Sequence, residues 1–198
     1  MGRPSVAAER RRQILMATID CIGTHGVAGT TLDRIAEEAG MARGHVRHFA
    51  GNRDEILVAA AREFYFGDED DADAAAAASD PSVLPAEVRS LADAVDYLFG
   101  AFAAPGVENA VALALVDAAR GLPEIREIVV AAYAGARSRL ATLLAAEYPD
   151  AASADCRRVA YSVLAIALGY VFMSDVGIPG DPDQSPREDA ERLIASLG

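Results

Sequence analysis

The sequence predicts an all-α protein: an N-terminal three-helix, helix-turn-helix head and a larger helical body behind it, about nine helices together. Three observations predict it. Apolar residues recur at three- and four-residue spacing along most of the chain, and no convincing strand interrupts them. Helix caps and breakers punctuate that pattern. The stretch Ala39–Ile56, AGMARGHVRHFAGNRDEI, gathers three arginines and two histidines in a chain whose formal net charge is −12.

The first helix is expected from about Val6 to His25, with Ile14, Ala17, Cys21 and Ile22 inward and Gly26 at its end. The second starts in TTLD, where Thr30 can cap and Asp33 can reciprocate. Its apolar stripe is Leu32, Ile35, Ala36 and Ala39, and Gly40 stops it. A short third helix covers about Ala42 to Phe49, with Ala42, Val46 and Phe49 as its apolar face. Asn52 caps a fourth, which carries Asp54 and Glu55 in the dipole-favoured first turn and Ile56, Leu57, Ala60 and Phe64 inside.

The acidic run Gly67 to Pro81, GDEDDADAAAAASDP, reads as a solvated helix end or linker, because it lacks the glycine and terminal glutamate of a calcium loop. A fifth helix runs from Pro85 to about Ala104 and a sixth from Val107 to Arg120. Pro123 opens a long seventh, which Pro149 ends after about Tyr148. Ser153 to Asp175 is the eighth. After the loop GIPGDPDQ, Ser185, Pro186 and Glu188 make a complete start for the last helix, Pro186 to Leu197. The chain is expected to divide into a head, residues 1–51, and a body, residues 52–198.

With 198 residues, 52% of them hydrophobic and 24% charged, the chain can bury a sizeable core. Cys21 and Cys156 form no metal or redox motif and are expected as buried apolar groups in a reducing cytoplasm. The opening MGRPSVAAERRRQ has no apolar segment of the signal-peptide kind. The apolar run Val159–Ser174 is shorter than the roughly 20 residues of a membrane span, so no membrane partner is expected. That helix should be buried within the protein or against a second copy.

All 18 basic side chains are arginine. Residues 1–50 carry a net charge of +2 and residues 51–198 carry −14, so a basic head sits on an acidic body. A local patch of this kind lets a polyanion dock despite the acidic total.

Gly40-Met41 joins the second and third helices by a tight turn, the arrangement that sends the third helix into the major groove of DNA. Arg43 and Arg47 lie one turn apart on that helix, with His45 and His48 beside them. Gly44 clears space for a close approach. Arginine matches both guanine edges and phosphate. Arg53 at the fourth helix, and Thr30 and Thr31 at the second, are candidate phosphate contacts. Arg3 and Arg10 to Arg12 form either an arm along the DNA or a plain polar terminus. His45 and His48 alone supply too few ligands for zinc, so no metal and no cofactor is expected.

In Gly26, TTLDRIAEEAG at 30–40 and RGHVRHFAGNRDEI at 43–56, the sequence resembles the TetR (tetracycline repressor-like) family of transcription regulators. The resemblance is gapless over roughly residues 10–57. It departs from the family's pattern at Ala42, Phe49 and Ala50, where serine, tyrosine or histidine, and phenylalanine are usual. It implies a cytoplasmic homodimeric repressor that binds an inverted-repeat operator in double-stranded DNA. It further implies a dimer bundle built from the 153–175 and 186–197 helices, and a small-molecule effector in a body pocket. Candidate pocket residues are Tyr97, Phe102, Asn109, Asp117, Arg120, Tyr133, Arg137 and Tyr161. No catalytic constellation accompanies them, so an enzyme is not expected. Three readings stay open beside this one: a ligand-sensing or protein-interaction dimer whose head has lost DNA binding, an all-helical enzyme acting in the body pocket, which would require a catalytic constellation the sequence does not offer, and an activator.

Overall fold

In the computed structural model, which describes residues 6–67, 82–180 and 185–198, every regular element is helical. The helices are α1 (Val6–Gly29), α2 (Leu32–Glu38), α3 (Arg43–Ala50), α4 (Arg53–Phe66), α5 (Leu91–Phe99), α6 (Val107–Ala118), α7 (Pro123–Glu147), α8 (Ser153–Val176) and α9 (Pro186–Ala195). One 3-10 turn, Ala101–Ala103, follows α5. The expected acidic linker at 68–81, the end of the loop before α9 and Arg3 lie outside the described residues.

The chain divides into two compact units, Met1–Ser79 with Ala110–Val130, and Asp80–Asn109 with Ala131–Gly198. In the first, α1 packs against α2, α3 and α4. Ile14, Ala17, Cys21 and Ile22 are buried as their spacing predicts, together with Ile35, Ala36, Val46, Ile56, Leu57 and Ala60. α1 breaks at Gly26, whose φ of 66° is a conformation that side chains with a Cβ rarely adopt. The Thr30 N–H and hydroxyl both donate to the Gly26 carbonyl, at 3.1 and 2.8 Å, and close the break.

Burial corrects two boundaries in this unit. Thr31, not Thr30, is the N-cap of α2, and its Oγ1 accepts from the Arg34 N–H at 3.3 Å. The α3 core pair is Val46 and Ala50, with Phe49 half-buried, while Ala42 is exposed. Ala42 sits at the N-cap, outside the helical period, so it cannot share the inner face. α4 opens with a full capping box: Asn52 Oδ1 accepts from the Asp54 and Glu55 N–H groups, and Glu55 Oε2 accepts from the Asn52 N–H.

The second unit has its own core, in which Leu84, Val95, Leu98, Leu140, Leu144 and Ile194 close on the inner face of α8. That face is Cys156, Val159, Ala160, Val163, Leu164, Ala167 and Val171, at helical spacing. α5 begins six residues later than expected, at Leu91, because Ser90 and Asp93 form a reciprocal capping box. Hydrogen bonds from the Ser90 side chain, then from the Ser90 and Arg89 N–H groups, lower the Asp93 pKa.

The chain ahead of α5 is held from α7. The Arg139 guanidinium donates to the carbonyls of Leu84, Pro85 (3.1 Å) and Val88 (2.9 Å). Hydrogen bonds to charged groups contribute about 1.5–3 kcal/mol each, and they do not add fully. Arg139→Ala should therefore lower stability by about 3 kcal/mol, read as an earlier midpoint in urea unfolding at unchanged slope.

α7 and α8 are long and apolar enough to cross a membrane by length and composition. α8 continues past the uncharged run Val159–Ser174 through Asp175 to Val176, one residue beyond the expected end, which gives it that length. One face of each helix lies in the body core. The outer face of α8 is an exposed stripe, Ala154, Arg158, Tyr161, Ala165 and Phe172, with half-buried Leu168 between the last two. Its steps alternate between four and three residues, the repeat of a helix-packing seam.

Candidate nucleic-acid interface

α2 and α3 meet at a turn that is fixed from three sides. Gly40, with φ 61°, carries the chain out of α2. The Gly40 and Met41 N–H groups return to the Glu37 and Ala36 carbonyls, at 3.1 and 2.9 Å. Gln13 of α1 donates its Nε2 to the Ala39 carbonyl at 2.8 Å, which ties the end of α2 to the first helix. Val46 and Ala50 then anchor α3 from within.

With those two residues inside, Arg43, Gly44, His45, Arg47 and His48 are all exposed on α3. Gly44 has no heavy atom within 4 Å of where a Cβ would stand, and its φ is not in the left-handed region. The fold itself therefore does not require glycine there. His48 meets the Phe49 ring edge-on at 5.0 Å between centroids, and His45 does so at 6.4 Å. Arg47 has no ion pair among the described residues. Arg43 places Nη1 3.1 Å from both carboxylate oxygens of Asp33 on α2.

Two of the expected phosphate contacts are occupied by the fold. Thr30 is fully buried with its hydroxyl spent on Gly26, so it cannot face a ligand, whereas Thr31 is exposed at the start of α2. Arg53 donates Nε to the Thr30 carbonyl at 2.7 Å and Nη2 to the Val27 carbonyl, and its Nη1 meets Asp54 at 3.1 Å. Arg34 reaches the neighbouring Gly29 carbonyl at 2.6 Å. These two arginines bond carbonyls at the α1–α2 connection, Arg34 that of Gly29 and Arg53 those of Thr30 and of Val27, the last of which also accepts from the Thr30 N–H at 3.2 Å. Arg53 is thus a clamp of the α1–α2 connection.

Ala42 leaves α3 without any side-chain cap, although its φ and ψ of −69° and 139° suit a serine N-cap. Ala42→Ser should add about 1 kcal/mol of stability, measurable as a higher denaturation midpoint. Cys21 lies buried behind this surface, and burial, then the nearby Glu38 and Asp20 carboxylates, push its thiol pKa up. It is a protonated core residue. No group of three potential metal ligands occurs among the described residues.

The eight pocket candidates fall in both units. In the second unit, Tyr97 stands 5.8 Å from Phe102 between ring centroids, and burial, then Glu108 and Tyr133, raise the Tyr97 pKa. Asn109 is buried and donates to the Ala104 carbonyl at 2.8 Å. Arg137 is exposed, and Tyr161, 62% exposed, lies on the outer stripe of α8 rather than toward the core. Asp117 and Arg120 are exposed residues of the first unit. A groove of about 370 Å³ in the second unit is lined by other residues, among them Leu91, Val95, Tyr148, Arg187 and Ile194. Arg187 also pairs with Asp96 at 2.6 Å.

The sequence reading missed Asp33 as the partner of Arg43, and Gln13 and Arg34 as ties across the head. Nothing in local spacing reveals contacts made between helices. The Ser90 start of α5 did carry a local signal, the serine-to-aspartate spacing of a capping box in SLAD.

Comparison with known proteins adds to this geometry. Residues 14–60 match the family model described as bacterial regulatory proteins, tetR family. Residues 90–196 match the model described as tetracyclin repressor-like, C-terminal domain. The chain is 41% identical over 54 residues to the HTH-type transcriptional regulator BetI 1 of Chromohalobacter salexigens, a match spanning 27% of each chain. It is 30% identical over 174 residues to the HTH-type transcriptional regulator BetI of Rhizobium meliloti, covering 86% of this chain and 82% of that one. Among solved structures, a transcriptional regulator from Rhodococcus sp. Rha1 aligns with a TM-score of 0.68 at 18% identity, over 94% of this chain and 95% of that one. The multidrug binding protein EbrR complexed with imidazole aligns with a TM-score of 0.58 at 21% identity, over 95% and 94%. These last two likenesses concern the fold.

Proposed function

The chain belongs to the tetR family of bacterial regulatory proteins, and from that premise we propose that it is a cytoplasmic DNA-binding repressor released by a small molecule. The observation that carries this reading is the α3 surface. Five consecutive-turn residues, Arg43, Gly44, His45, Arg47 and His48, stand free of the core on a helix whose entry angle α1 and α2 fix. Arg43 and Arg47 offer forked donors to base edges and phosphate, and Thr31 offers a hydroxyl at the start of the helix crossing the backbone.

The working unit is a homodimer on an inverted repeat. Support for it comes from the outer stripe of α8, with Tyr161 62% and Phe172 49% exposed, and from Leu193 on α9, 37% exposed. Apolar side chains repeating at the spacing of a helix seam are suited to pairing with a second copy in a four-helix bundle. An effector in the body binds better to a dimer whose heads have the wrong separation. Two rigid heads must match a fixed groove spacing, so that preference releases the DNA. Tyr97, Phe102 and Tyr133 are the pocket residues this reading retains.

Selection of random duplex DNA on the purified protein tests the proposal. The expected result is enrichment of one inverted repeat, bound with an affinity that falls steeply with salt. A folded dimer that enriches nothing would favour the second reading, a sensor dimer with a degenerate head. The uncapped start of α3 at Ala42 is the observation on that side.

A further inference from the structure

We propose that Asp33 is a positioning residue of the DNA interface, which holds Arg43 toward a base edge and keeps it off the phosphates. The inference rests on the DNA-binding reading above. Asp33 is in the first turn of α2 and Arg43 is the first residue of α3. Their side chains are 71% and 61% exposed, with Nη1 bonded to both carboxylate oxygens at 3.1 Å.

Neither helix depends on this pair for a cap, since Thr31 caps α2 and α3 has no side-chain cap at all. Ion pairs this exposed contribute little to stability. What the pair does change is the donor set of Arg43. With Nη1 committed to the carboxylate, Nε and Nη2 remain, side by side, and two adjacent donors are what guanine O6 and N7 accept. The carboxylate also lies among the cations of a surface that meets a polyanion, where it repels phosphate. A latched Arg43 therefore gains little from random DNA and gains most from the right base. Arg47, with no such latch among the described residues, retains its full fork.

The test is Asp33→Asn in the full-length protein, a change that keeps size and removes charge. Affinity is measured for the selected operator and for random duplex across a salt series. The freed Arg43 should reach a phosphate, so affinity for random duplex rises about tenfold and the salt slope steepens by about one per head. The operator-to-random ratio should fall by about tenfold or more. Asp33→Glu, which keeps the charge, should retain most of the discrimination. In an Arg43→Ala background, Asp33→Asn should leave discrimination where Arg43→Ala put it. Operator and random affinities that move together at constant slope would overturn the proposal, as would an equal effect without Arg43. A wild-type protein that selects no duplex would overturn the DNA-binding reading itself, and this inference with it.

Discussion

Arg47→Ala should abolish high-affinity operator binding while leaving the fold and the dimer intact. Arg47 is exposed on α3, one turn from Arg43, with no ion pair among the described residues, so its removal breaks nothing inside the protein. Exposed substitutions of that kind usually change stability by less than about 0.5 kcal/mol. A lost bidentate base contact costs about 1–3 kcal/mol, and a symmetric dimer loses it twice. The expected fall in affinity is therefore on the order of a hundredfold, measured by fluorescence anisotropy with a labelled operator. The salt series says which kind of contact was lost. A base contact removed leaves the slope unchanged and erases preference at one position of each half-site. A phosphate contact removed weakens all duplexes alike and flattens the slope by about one per head. Unchanged operator affinity in the variant would remove Arg47 from the interface.

Much of the head is legible in its sequence because its signals are local. The inward residues Ile14, Ala17, Cys21 and Ile22 follow from spacing alone, and Gly26, Gly40 and Asn52 mark their boundaries by their own chemistry. Where the reading fails, two local options are equally good and tertiary burial decides between them. Either threonine of the 30–31 pair satisfies a cap by composition. Only the packed structure shows that Thr30 is fully buried and bonded to Gly26, which leaves the cap to Thr31. Arg53 is subject to the same limit, since its position at the start of α4 suggests an anion site. Its actual partners, the Val27 and Thr30 carbonyls, are 26 and 23 residues away in the chain.

The body is less legible for a related reason. Tyr97 and Tyr161 look alike as aromatic residues on apolar helices, yet one is half-buried beside Phe102 and the other is 62% exposed on the outside of α8. α8 is apolar on nearly every side, so its sequence does not say which face belongs to its own core. Arg139, with three carbonyl partners in the chain before α5, gives no local sign of that role either.

The outer face of α8 carries the second large effect. Ala165→Glu should convert the dimer to monomers and with it abolish operator binding. Ala165 is exposed, midway along the stripe between Tyr161 and Phe172, so a glutamate there meets water in an isolated chain and costs the fold little. In a bundle of two copies it would put a carboxylate, and its symmetry mate, into an apolar seam, where an unpaired charge is expensive to bury. Losing the second head removes the gain in effective concentration that a linked pair enjoys, about 10²- to 10⁴-fold in affinity. Sedimentation equilibrium reads the assembly, anisotropy reads the DNA, and circular dichroism confirms that helix content is kept. Ala145→Glu, at another exposed alanine that lies on α7 and not on α8, is the control and should remain dimeric and DNA-binding. A dimeric Ala165→Glu with full operator affinity would move the interface off α8. A monomeric variant with full affinity would be more damaging still, because it would break the link between the two-fold protein and the inverted repeat on which the proposed release by an effector depends.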